Sequence, residues 1–66
     1  MKYTEMKHCE RHYFNSYNDA QIVWRFLTHM GIRADLVKAI EINPNIFDEN
    51  DYFVFMQKPD VLEYNN

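Results

Sequence analysis

Between Ser16 and Gly31 the apolar residues Ala20, Val23, Leu27 and Met30 recur at steps of three and four, the period of an α-helix. The spacing predicts a helix over roughly residues 17–30. Ser16 and Asn18 are good N-cap residues, and Ser16 followed three positions later by Asp19 approximates a capping box. Asp19 also suits the positive end of the helix dipole. Gly31 is the natural stop, because the residue just past a helix often adopts left-handed backbone. On a helical wheel Ile22 and Phe26 widen the apolar stripe on one side and Trp24 on the other, giving an arc of about 200°, with Gln21, Arg25 and Thr28 on the remaining face. One sheet face needs less than that. Trp24 or Ile22 is therefore expected at an edge that something else covers.

Tyr52-Phe53-Val54-Phe55-Met56-Gln57 is aromatic and β-branched, too short for a helix and ended by Lys58-Pro59, so it reads as a strand. Alternation puts Tyr52, Val54 and Met56 on one face and Phe53 and Phe55 on the other, and both faces are apolar. At the N-terminus, Tyr13-Phe14 and the alternating Tyr3-Thr4-Glu5-Met6-Lys7 fit a strand leading into the helix, with His8 to His12 polar enough for an exposed or edge segment. Residues 32–42 read two ways. As a strand, Leu36, Ile40 and Ile42 share a face with Lys38. As a helix, Ile32, Leu36, Val37 and Ile40 line one side and Asn43-Pro44 stops it. The C-terminal Glu63-Tyr64-Asn65-Asn66 is expected to fray.

The strand reading gives an α+β fold of order β-α-β-β, with one helix packed on a three-stranded, mainly antiparallel sheet in a single domain spanning residues 1–66. One helix covers one sheet face, so the other is expected to be solvent-exposed in a monomer. The helical reading is a mostly helical domain with a short β segment. Its spacing over residues 22–40, with Leu27 and Met30 before Gly31-Ile32 and Val37 and Ile40 after, resembles the helix-turn-helix of DNA-binding transcriptional regulators. That resemblance implies a recognition helix, yet there Arg33 and Lys38 are offset by Asp35 and Glu41.

Composition narrows the function classes. A chain of 66 residues buries only about 60% of the surface its unfolded form exposes, which leaves little core to support a self-sufficient active site. Disorder is disfavoured by a hydrophobic share of 47% that includes five Tyr, five Phe and one Trp. The single Cys9 closes no disulfide within the chain, and no run of apolar residues resembles a signal peptide or a membrane span, so a cytoplasmic location is expected. Net charge is −3 and unevenly divided. Residues 1–33 hold Lys2, Lys7, Arg11, Arg25 and Arg33 against Glu5, Glu10 and Asp19, while residues 34–66 hold Lys38 and Lys58 against seven acids. Whether this division in sequence becomes a division in space depends on the fold.

Candidate chemistry is sparse. His8 and His12 point the same way on a strand or a helix, but no second Cys/His pair completes a four-ligand zinc site, so no metal or other cofactor is expected. Cys9 has no orienting group or oxyanion donors to make it a catalytic nucleophile, and one glycine cannot build a phosphate-cradling loop. Aromatics flanked by Asp48, Glu49, Asp51 and Asp60 carry the wrong sign for nucleic acid stacking.

The expectation is a non-enzymatic protein that binds another protein and self-associates as a homodimer. Small size, acidity and richness in Asn, Tyr, Phe and Ile resemble the accessory proteins that phages and mobile elements encode to bind and inhibit a host protein. The partner-binding residues expected are Trp24 at the helix flank and Tyr52, Phe53, Phe55 and Met56 on the strand, with Asp48, Glu49 and Asp51 as rim charges that speed association.

Overall fold

The computed structural model describes residues 2–58, in the order of a 3₁₀ turn (Tyr3–Glu5), β1 (Cys9–Phe14), α1 (Tyr17–His29), β2 (Ala34–Lys38), a single turn α2 (Ala39–Ile42) and β3 (Tyr52–Gln57). The last strand in sequence is the middle strand in space. The sheet order is β1-β3-β2, and both pairings are antiparallel. This is the expected α+β architecture, with α1 on one face of a three-stranded sheet. The fraying expected of residues 63–66 concerns a segment outside the described residues.

The helix signals act as read. Ser16 is the N-cap in extended backbone, and its hydroxyl accepts from the Asp19 N–H at 3.4 Å. At the other end Gly31 adopts φ +82°, while Gly31 N–H donates to Thr28 and Ile32 N–H to Leu27, the paired bonds of a Schellman motif. Ile32 then joins Leu27 in the same apolar cluster, which fixes how the chain leaves α1 to begin β2.

The ambiguous stretch is a strand up to Lys38 and a helical turn after it. Leu36 pairs with Val54 and packs under α1, whereas Val37 pairs with Phe53 and packs on the opposite face. Ala39 is fully buried and donates its N–H to Asp51 O at 3.0 Å, so the chain turns there and Ile40 and Ile42 leave the sheet. With β2 at residues 34–38 and only four residues in α2, no recognition helix follows the turn at Gly31, and the helix-turn-helix reading of residues 22–40 does not hold.

Two apolar layers flank β3. Under α1 lie Val54 and Ala34, packed against Ala20 and Leu27 with Val23 and Trp24 beside them. On the far side Phe53 and Phe55 are buried with Met6 and Ala39, and Tyr3, Val37 and Phe47 pack against them. The far face was expected to be bare, and it is not. Residues 3–7, expected as a strand, instead begin with the 3₁₀ turn Tyr3–Glu5, which lays Tyr3 on Phe55 with ring centroids 4.2 Å apart, while the connection after α2 sets Phe47 edge-on against Phe53 at 5.1 Å. Phe53 and Phe55 are 4% and 7% exposed, so they are core residues of the single chain.

Candidate protein-binding surface

The residues expected to meet a partner occupy several different environments. Trp24 is half-buried, and its indole N–H donates to Ala34 O at 3.3 Å. The register places that carbonyl on the outer edge of β2, because Arg33 O, one residue earlier, accepts from Gln57 N–H of β3. Trp24 therefore caps a sheet edge while it packs. Tyr52 and Met56 are half-buried on the α1 face, Tyr52 with its ring 5.3 Å from Tyr17.

The acidic residues are not a loose rim. Asp48 through Asp51 form a tight turn in which Asp51 N–H donates to Asp48 O, Asp48 N–H donates to the Asp51 carboxylate at 2.9 Å, and Asn50 N–H donates to the Asp48 carboxylate at 2.8 Å. The other Asp51 oxygen accepts from the Tyr13 hydroxyl of β1 at 2.5 Å. Glu49 at the tip is exposed. The Tyr13 hydrogen bond and then the Asp48 backbone N–H hold the Asp51 carboxyl below its ordinary 3.8. Its carboxylate in turn raises the Tyr13 phenol above 10.0. A depressed carboxylate contributes stability above its unfolded pKa and loses it as pH falls through the folded one. A raised phenol contributes below its unfolded pKa and loses that as pH rises through the folded value. The clasp is thus intact between roughly pH 4 and pH 10. Tyr13→Phe is expected to lower the melting temperature slightly inside that window and to flatten its acid-side decline below about pH 4, as read by thermal melts across pH. An acid limb identical to that of the parent protein would mean the clasp carries no linkage.

At the start of β1, His12 Nε2 lies 3.1 Å from Glu10 Oε1 on an exposed stretch, while Cys9 points to the opposite face beside the Met6 cluster. Among the described residues no three His, Cys, Asp or Glu side chains converge to hold a metal ion.

The sequence reading named Trp24 from the helix, yet the main exposure lies on its other flank. Ile22, Phe26 and Met30 are 54%, 61% and 58% exposed. Their spacing of four residues makes one continuous ridge along α1, about 12 Å long at 1.5 Å per residue. Arg25 and His29, both exposed, border it on the solvent side, and Val23 leads from it into the core. The signal was the over-wide apolar arc: Trp24 is the flank the fold covers, and Ile22 with Phe26 is the flank it leaves open.

β3 runs from the acidic turn at Asp48–Asp51 to an open groove of about 770 Å³ lined by Lys7, Arg33 and Lys58, with Glu5 the one acid among the described lining residues. The two poles are separated by the length of a six-residue strand, about 20 Å. No family model, curated protein or solved structure matches the chain, and its surface chemistry alone carries the functional reading.

Proposed function

We propose that the chain is a non-enzymatic protein-binding domain that docks the Ile22-Phe26-Met30 ridge of α1 into an apolar groove on a different protein. The observation that carries this reading is the exposure of three large apolar side chains in register on a helix whose opposite side already fills the core. A soluble domain this small can fold without them, and apolar side chains aligned at such spacing are the usual anchors of helix-in-groove recognition. Three half-exposed side chains leave on the order of a few hundred Å² bare. Doubling that falls short of the roughly 1,200 Å² a specific stable interface buries, so a flat ridge-on-ridge homodimer is less well supported than an enclosing groove. A small acidic body that occludes a target's groove would act as an inhibitor, in keeping with the accessory-protein resemblance of its composition.

Phe26→Asp tests the reading, because a 61% exposed position tolerates the charge in the free protein. The variant is expected to keep the parent's melting temperature within a few degrees and to weaken binding to a purified partner by about thirtyfold or more, the loss of a central aromatic anchor. Partner identification by affinity capture precedes this, followed by calorimetry with both proteins. Unchanged affinity would overturn the reading. So would light scattering that shows a concentration-dependent dimer abolished by Phe26→Asp, which would assign the ridge to self-association.

A further inference from the structure

We infer that the groove between Gly31-Ile32-Arg33 and Met56-Gln57-Lys58 is a second binding site, for an extended acidic and apolar peptide segment of a partner protein. The inference rests on the reading of the chain as a protein-binding domain but uses none of the α1 ridge residues. Lys7, Arg33 and Lys58 come from three distant parts of the sequence and line one groove in a chain whose net charge is −3. Among the described residues the only ion pair is His12 with Glu10, so no described acid pairs with these three cations. Gathering like charges is unfavourable unless a ligand of opposite sign offsets it.

The backbone beneath the cations is held firmly. Gln57 N–H donates to Arg33 O at 2.9 Å, Lys58 N–H donates to His8 O at 2.7 Å, and the Gln57 side-chain amide donates to the same His8 carbonyl at 3.0 Å. Ile32 and Met56 add apolar side chains to the same lining. A groove of about 770 Å³ exceeds what a single inorganic anion fills, and a lining that combines cationic and apolar side chains suits an extended peptide that carries both carboxylates and aliphatic side chains. Nucleic acid fits less well. Among the described residues no aromatic lines the groove for base stacking, and the acidic turn at the far end of β3 repels a long polyanion.

Fluorescence anisotropy with the full chain and a labelled eight-residue peptide of alternating glutamate and leucine tests this directly. Saturable binding is expected, weakened by added salt and reduced about tenfold or more when Arg33→Glu and Lys58→Glu are combined. Circular dichroism confirms that the double variant is folded, and Arg33→Gln with Lys58→Gln replaces it should charge reversal unfold the chain. Phe26→Asp is expected to leave peptide affinity unchanged, so the groove and the ridge succeed or fail separately. Equal binding of a glutamine-leucine peptide, affinity indifferent to the double substitution, or tighter binding of a single-stranded octanucleotide would each overturn the proposal.

Discussion

The Phe53→Asp variant is expected to be unfolded at room temperature, with no cooperative thermal transition and a far-ultraviolet spectrum stripped of its strand and helix bands. Phe53 lies in the central strand with neighbours on every side: Phe47 and Tyr13 edge-on at 5.1 and 5.9 Å, Phe55 along the strand, and the Arg11 guanidinium 4.8 Å above its ring. Deleting a buried aromatic costs about 3–5 kcal/mol. The carboxylate adds the penalty of a buried charge, which the single Arg11 offsets only in part. A domain of this size has on the order of 5 kcal/mol of stability in total, so the loss exceeds what the fold can absorb. A monomeric, folded Phe53→Asp protein would instead mean that the far face of the sheet is an exposed surface. From sequence the uncovered face was expected to carry either Phe53 and Phe55 or Tyr52, Val54 and Met56, and this substitution separates the first of those pictures from a covered face.

The second large effect belongs to the N-terminal turn. Combining Tyr3→Ala with Met6→Ala removes the stacked ring over Phe55 and a side chain that is only 8% exposed. Truncating a buried methionine costs upwards of about 2 kcal/mol and losing the stacked pair about 1 kcal/mol more. The penalty is bounded near 2–3 kcal/mol, because a released segment recovers its backbone entropy. For a domain of this length the melting temperature is then expected to fall by roughly 15–20 °C. Phe53 and Phe55 are uncovered at the same time, so binding of a hydrophobic dye and concentration-dependent association are expected to appear. A melting temperature within a few degrees of the parent, with no dye binding, would show that the turn does not hold this face closed.

Local signals made α1 and β3 legible, because their determinants sit within a few residues of one another. The Ser16 cap, the three-and-four spacing and Gly31 bound the helix without help from the rest of the chain. The doubly apolar pattern of β3 was legible too, but one of its faces was expected to lie bare in a monomer, and the chain's own Tyr3, Met6 and Phe47 cover it. The source of that cover was not legible. Tyr3 N–H donates to the Asp35 carboxylate at 2.9 Å across 32 residues, a contact that no local period encodes. Tyr3 to Lys7 alternates like a strand, yet what places it is the aromatic surface of Phe55. Residues 32–42 defeated periodicity for a related reason: the chain switches from strand to helical turn at Ala39, where burial and a backbone bond to Asp51 decide the conformation. On the candidate surface, the width of the apolar arc was readable from sequence. Which flank stayed open depended on the Trp24 indole finding Ala34 O at the sheet edge.

The placement of β3 between β1 and β2 bears on how the protein comes into being. Neither outer strand has a pairing partner until the chain beyond Tyr52 has been synthesised, and a lone α1 of 13 residues is marginal in water. A growing chain is therefore expected to remain without a sheet until β3 has been made and then to order in one step as that strand inserts. Every prematurely ended product that stops short of this strand would be left without the far-face core, available to proteases and unable to present the α1 ridge on a folded body. Strand order thereby makes the whole sheet, and with it both apolar layers, conditional on the last of its strands to be made.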